Sequence, residues 1–341
     1  MSGKIDFVIT WVDGSDENWL KEKKKYELDE NDRNDDFYKI WCNSSARFRD
    51  WENLNYWFRA VEKFTPWVRK IHFVTWGHLP EWLNTENPKL NIVKHEDYIP
   101  AKYLPTFNSH TLEWNIHRIK GLSERFVYFN DDMFITKPTK ENFFFCKGMP
   151  CETIGLDIVG MELNIGHAEI NNTKVLNKYF NKKDVISKHW KKWINPVNGK
   201  CLLKTMLLLP WKHFSGLYES HLPVSYLKSS FKKMWELEPD ILDKTCSCRF
   251  RQESNLNHWL VKNYQILTGK VVPRSPRLSR AFTGQRVDRE IVDSVVSQKY
   301  NMVCINDVEE TYYTDEMFQR DKKKLKAAFH KVLPKKSSFE K

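Results

Sequence analysis

β-branched and aromatic residues dominate Ile5-Asp6-Phe7-Val8-Ile9-Thr10-Trp11-Val12 and stop at Asp13-Gly14-Ser15-Asp16, so the pattern predicts a strand closed by a turn. Leu54, Trp57, Phe58, Val61 and Phe64 then recur at spacings of three and four, which predicts an amphipathic helix over 50–64, ended by Pro66. Strand patterns return at 71–76 and 91–94. A helix is expected from Ser109, read as its N-cap, through Leu112, Ile116 and Ile119 to Gly121. A fourth strand, 126–129, runs straight into Asn130-Asp131-Asp132. Strands separated by helix-length crossovers imply right-handed βαβ units, hence an α/β fold with a Rossmann-like, mainly parallel sheet flanked by helices.

The later pattern is less regular. Residues 137–212 mix Lys, Asn and Gly with short helical signals such as 185–194, and are expected to form a loop-rich, partly helical insertion. Residues 223–242 read as a helix or helix pair, 253–264 as another helix, 265–272 as a strand, and 303–305 as a short strand ending at Asn306-Asp307. The stretch 314–332 predicts a basic helix within a C-terminal segment, 314–341. No repeat or Gly/Ser linker divides the chain, so one catalytic domain over 1–341 is expected.

Composition narrows the possibilities. With 55 Lys plus Arg against 44 Asp plus Glu the net charge of the 341 residues is +11, which suggests an anionic partner. The 14 Trp, 13 Tyr and 21 Phe can fill a core and offer stacking surfaces. No apolar run is long enough to span a bilayer, and the N-terminus carries no apolar leader. The seven cysteines are scattered and contain no CxxC pair, which suits reduced thiols in the cytoplasm. The basic residues are dispersed among acids with no nucleic-acid motif, so no nucleic-acid partner is expected. The run Lys322-Lys323-Lys324-Leu325-Lys326 with Lys335-Lys336 reads either as a solvated basic face or as peripheral contact with the inner face of the cell membrane.

Candidate chemistry lies where strands end in acids: Val12 at Asp13, Phe129 at Asp131-Asp132, Ile305 at Asp307. In an open parallel sheet the carboxyl ends share one edge, where ligands bind. Carboxylates brought together there repel one another unless a cation sits among them, and an oxygen-only set suits Mg²⁺ or Mn²⁺. A lone acid after a strand is ordinarily a turn residue; adjacent acids after a buried strand are more specific. His72 and His258 read as packed residues inside a strand and a helix. His110 and His117, with Glu113 between them, fit a site wall and a solvated helix face equally well. His221, in the turn Glu219-Ser220-His221-Leu222-Pro223, is a candidate general base, and Arg249 and Arg251 are candidate phosphate-binding forks.

These residues also carry a resemblance. The segment from Ile5 to Asp16 resembles the first signature of the Stealth family. The block 47–135, with Phe48-Arg49-Asp50, His72-Phe73-Val74-Thr75, Pro105-Thr106-Phe107-Asn108-Ser109 and Phe129-Asn130-Asp131-Asp132, is similar to the second. Residues 213–269, with Ser220-His221-Leu222-Pro223 and Arg249-Phe250-Arg251, resemble the third, and Cys304-Ile305-Asn306-Asp307 the fourth. The resemblance implies transfer of a sugar 1-phosphate from a nucleotide diphosphate sugar to a hydroxyl of a polysaccharide or lipid-linked oligosaccharide acceptor, as in bacterial capsule and exopolysaccharide synthesis. It implies catalytic roles for Asp132, His221 and Arg251, metal ligation by Asp131, Asp132 and Asp307, and donor binding by Asp13, Gly14, Asn130 and Asn306. The long inserted modules of the family's animal members are absent, Glu17 stands where many relatives have Pro, Thr245-Cys246-Ser247-Cys248 departs from the family pattern, and 140–212 shows little resemblance. The competing expectation is a metal-dependent glycosyltransferase that uses the same donor and releases nucleoside diphosphate.

Overall fold

The computed structural model describes residues 4–29, 49–160, 164–284, 286–306 and 313–341. Strand β1 (Ile5–Thr10) leads to α1 (Glu17–Asp29), a helix the apolar pattern did not predict because eight of its thirteen residues are charged. Next come α2 (Leu54–Phe64), β2 (Ile71–Thr75), β3 (Leu90–Lys94), α3 (His95–Tyr98), α4 (Ser109–Asn115), β4 (Arg125–Asn130) and β5 (Met133–Ile135). A hairpin, β6 (Phe145–Cys146) with β7 (Met149–Glu152), opens the middle region. That region then runs through α5 (Asn164–Tyr179), α6 (Lys182–Lys188), α7 (Trp190–Trp193) and α8 (Lys200–Leu208), more helix than loop. The remainder is β8 (Val224–Leu227), α9 (Lys228–Leu237), α10 (Pro239–Ser247), α11 (Trp259–Leu267), β9 (Val272–Pro273), β10 (Ser279–Phe282), α12 (Arg289–Val296), β11 (Met302–Ile305) and α13 (Asp315–Val332).

The central sheet has the order β3-β2-β1-β4-β8. The first three pairings, β3 with β2, β2 with β1 and β1 with β4, are parallel, while β8 lies antiparallel on β4. Helices cover both faces, so the strands are buried on both sides and alternate residues feed two cores. Phe7, Ile9 and Phe129 face one core with Trp57 and Phe58 of α2 and Phe329 of α13. Val8, Phe126 and Tyr128 face the other with Leu112 and Trp114 of α4 and Leu260 of α11.

Three local readings are corrected. The N-cap of α4 is Asn108, whose side chain accepts from the His110 amide at 3.1 Å, rather than Ser109. Residues 224–227 are a strand, because β4 offers an open edge that a short apolar segment can pair with; the helix pair follows it. The stretch 265–272 completes α11 through Leu267, leaving only Val272–Pro273 as strand. By contrast α13 begins one residue after Thr314, whose hydroxyl accepts from the Met317 amide at 3.3 Å.

Candidate active site

The register Thr10↔Asn130 aligns the ends of β1 and β4. Asp13-Gly14 and Asp131-Asp132, one to four residues further on, therefore share the carboxyl edge of adjacent parallel strands. Asp13 closes its turn by accepting from the Ser15 amide at 2.8 Å and hydroxyl at 2.6 Å, while its own amide donates to His78 Nε2 at 2.7 Å. His78 thus ties the end of β1 to the segment after β2. Its imidazole is driven below its ordinary pKa by burial, so it stays neutral and can accept that hydrogen bond.

The turn Asp131-Asp132 reverses the chain into β5, which leaves the central sheet and joins a second one of order β10-β11-β5. β11 pairs antiparallel with β5. Convergence of the strand-end acids was expected if the 303–305 strand neighboured the others in one parallel sheet; its end arrives at the same edge from this second sheet instead. The Ile305 amide donates to the Asp132 carbonyl at 2.9 Å, and Asn306 Nδ2 donates to Asp132 Oδ2 at 3.0 Å. Asp307, the predicted third metal ligand, lies outside the described residues.

His221 reaches the site because β8 is antiparallel. The start of β8 lies at the end of β4, with Val224 opposite Tyr128, so the turn preceding it abuts Asn130 and Asp132. His221 Nε2 stands 3.4 Å from Asp132 Oδ2 and 3.3 Å from Asn130 Nδ2. Burial opposes its protonation, but the Asp132 carboxylate outweighs burial and lifts the His221 pKa above its ordinary 6.5. Burial would likewise raise Asp132; the charge of His221 and hydrogen bonds from His221, Cys304 and Asn306 hold it below its ordinary value.

Asp131 behaves oppositely. It opens to solvent on one side, yet the surrounding protein strips enough hydration, with Asp132 and Asp50 adding repulsion, to push its pKa up to about 7. Asp50 is raised in turn, first by lost hydration and further by Glu52 and Asp13. A chain of acids from Asp13 through Asp50 to Asp131 and Asp132 thus lines the edge. Asp50 was not singled out by sequence reasoning although it ends the Phe48-Arg49-Asp50 motif; the sequence shows no strand pattern before it to mark it as a strand-end acid. Its carboxylate accepts from the Glu52 amide at 2.7 Å, and Glu52 itself adopts φ 48°, a left-handed conformation uncommon for a non-glycine residue.

These features test a cation site. Asp132 Oδ1 is buried and has no hydrogen-bond partner among the described residues. An orphaned carboxylate oxygen beside a second, repelled carboxylate is the environment a divalent ion relieves. Ligand atoms of Asp132, His221 and Cys304 also lie within 4.8 Å of one another. Burial and the neighbouring Asp132 push the Cys304 thiol well above its ordinary pKa, so it remains protonated and donates to Asp132 Oδ2 at 3.3 Å rather than ligating. The fit is therefore to oxygen ligands and to Mg²⁺ or Mn²⁺.

Arg251 enters from the segment between α10 and α11. Its guanidinium donates to Ser109 Oγ at 2.6 Å, at the start of α4. One turn along, Glu113 is buried and its pKa is pushed up to about 7 by burial, opposed by Arg251 and His221. His258, expected only to pack, closes this corner: its Nδ1 meets Tyr226 Oη at 2.6 Å and its amide donates to Glu113. Burial, then His221, Lys262 and Arg251 drive it far below 6.5, so it is neutral. His110 and His117 form neither a site wall nor a solvated face. Both are buried, and His117 stacks on Phe231 at 6.1 Å with a pKa pushed down to about 3 by burial. His72 is structural, bonded to Asp6 at 3.1 Å and Asn91 at 2.9 Å.

Comparison with known proteins follows the same residues. Residues 3–30 match the model of Stealth protein conserved region 1, and residues 47–152 that of conserved region 2. A capsular polysaccharide phosphotransferase, WcwK of Streptococcus pneumoniae, is 42% identical over 339 residues, covering 99% of this chain and 98% of its own. The chain belongs to the Stealth family. Two further Stealth relatives span its length. The exopolysaccharide phosphotransferase cps2G of Lactiplantibacillus plantarum is 36% identical over 99% of this chain and 96% of its own. The receptor polysaccharide phosphotransferase WefC of Streptococcus gordonii is 38% identical over 100% of both. Among solved structures the galactosyltransferase LgtC aligns over 94% of this chain and 95% of its own at 9% identity; its TM-score of 0.38 carries no argument. No helix among the described residues is long and apolar enough to cross a membrane.

Proposed function

We propose that this Stealth protein transfers a sugar 1-phosphate from a nucleotide diphosphate sugar to a hydroxyl of a polysaccharide or lipid-linked oligosaccharide, forming a phosphodiester in a capsular or other cell-surface polymer. The observation that carries the reading is the meeting of two crowded carboxylates, Asp131 and Asp132, with His221 at one sheet edge. The names of the full-length relatives support it.

In the proposed reaction the acceptor oxygen bonds to the β-phosphorus, the bridging bond to the α-phosphate breaks, and nucleoside monophosphate departs with the electron pair. Phosphoryl transfer needs alignment and charge compensation more than covalent help. Asp131 and Asp132, with Asp307, would hold Mg²⁺ or Mn²⁺, which when bound supplies positive charge to the pyrophosphate. His221 in its neutral form takes the proton of the acceptor hydroxyl, a role worth about 10²–10⁴-fold in rate. Arg251, positioned by Ser109, faces its guanidinium to the equatorial phosphate oxygens. Asp13 and Gly14 orient the donor from the end of β1; Asn130 and Asn306 hold the turn in register through His221 and Asp132. Residues 137–212 form the acceptor side of a catalytic domain spanning 1–341, acting at the inner face of the cell membrane. Of the C-terminal lysines, Lys322 and Lys326 pair with Glu52 and Lys324 with Asp321, while Lys323, Lys335 and Lys336 are exposed.

Phosphorus NMR of reactions with UDP-, GDP- and CMP-linked sugars tests the proposal. Nucleoside monophosphate together with a new phosphodiester signal is expected from one donor of the diphosphate type; accumulation of nucleoside diphosphate marks a glycosyltransferase and ends the proposal. In defined metal, near-normal turnover of Asp132→Ala or His221→Ala removes that residue from the machinery.

A further inference from the structure

Helix α8 buries Cys201, Thr205 and Leu208 against the protein, yet its opposite side is also apolar. Leu203 is 67% exposed, Met206 49% and Leu207 66%, and Trp211, just past the helix, is 61% exposed. These positions follow the i, i+3, i+4, i+8 spacing of one helical stripe. Trp211 is held in place rather than left loose: its amide donates to the Leu208 carbonyl at 3.1 Å. The Lys182 ammonium also donates to the Leu208 and Trp211 carbonyls, each at 2.6 Å, fastening the chain at the end of α8. A stripe of three large aliphatic side chains and an indole, rigidly presented to water, needs an occupant.

Charge identifies it. The segment 185–213 holds six lysines and neither Asp nor Glu, although acids are plentiful elsewhere in the chain. Lys188, Lys191, Lys200 and Lys212 are exposed. Lys200 lies on α8 and Lys212 follows Trp211, Lys188 and Lys191 belong to α6 and α7 earlier in the same acid-free segment, and Lys204 pairs with Asp157 at 2.7 Å. Exposed leucine and tryptophan in a lysine-rich segment is the composition of a helix that lies in the interface of an anionic bilayer, apolar side chains below the headgroups and ammonium groups at their level. A protein partner or a second copy of the chain would have to supply an acidic rim. We propose that α8 and Trp211 form a membrane-docking face that seats the protein on an anionic phospholipid surface. From this face residues 212–220 lead directly to His221, so docking and the site are joined by one short segment.

The full chain is tested by sedimentation with vesicles of phosphatidylcholine alone or mixed with phosphatidylglycerol, with no donor or acceptor present. Wild type is expected to bind the mixed vesicles and to be released by salt. The double variant L203E/L207E loses two inserted side chains and gains two like charges, and is expected to weaken binding by at least about 100-fold. The quadruple Lys→Gln variant at 188, 191, 200 and 212 tests the charge separately. Each lysine near an anionic surface contributes roughly fivefold, so with four removed a loss of roughly several hundred-fold is expected with the apolar stripe intact. All six positions are exposed, and unchanged circular dichroism checks that both variants fold. Wild type failing to prefer the mixed vesicles overturns the proposal, as does either variant binding like wild type. A vesicle-independent dimer that L203E/L207E dissociates assigns the face to a second copy instead and likewise overturns it.

Discussion

Replacing Glu113 by Gln isolates the cost of keeping an acid in the interior behind Arg251. Glu113 is only 4% exposed, and its pKa is pushed from 4.5 up to about 7. At 1.36 kcal/mol per decade of proton affinity, that displacement corresponds to about 3 kcal/mol. The folded state therefore keeps a proton that the unfolded chain gives up, and stability falls as pH rises from 4.5 to about 7, then levels off. Glutamine has the same shape and no proton to lose. Urea denaturation of both proteins at about pH 5 and about pH 8 should show the variant gaining up to about 3 kcal/mol relative to wild type between the two. At the lower pH the two proteins should be close, because wild-type Glu113 is neutral there. A difference that does not change with pH, or that grows in favour of wild type, refutes the idea that Glu113 is carried protonated; Arg251 would then hold it ionised.

Asp131→Asn should raise the melting temperature of the metal-free protein at alkaline pH by removing repulsion from Asp132 and Asp50, while abolishing both turnover and the thermal shift that Mn²⁺ produces in wild type. A variant that still responds to Mn²⁺ removes Asp131 from the ligand set. Arg59→Ala should destabilise the protein by about 3–5 kcal/mol in denaturant titration, because it strands Glu340 without its buried partner. That guanidinium bonds both Glu340 oxygens, at 2.8 and 2.6 Å, and the Leu333 carbonyl at 3.0 Å, clamping the C-terminal residues onto α2. A loss below about 1 kcal/mol would place the pair among weakly coupled surface bridges.

Much of the frame was legible in sequence because its determinants are local. β-branched and aromatic runs specify β1 to β4, and apolar residues at helical spacing specify α2, whatever they pack against. The acids at 13, 131 and 132 were legible for the same reason: each lies within three residues of the end of its strand. Local pattern does not specify which strands pair or in which direction, since pairing is a contact between distant residues. Only the tertiary structure shows that β8 is an antiparallel strand on β4, and that antiparallel direction alone turns His221 toward Asp132. The same holds for Asn306, delivered from a second sheet, and for Asp50, which no strand pattern in the sequence announces. Protonation is still further from sequence. Glu113 and Asp131 are ordinary acids in composition, and both are pushed up to about 7 by burial. Loss of hydration exists only once the chain has closed around a carboxyl group.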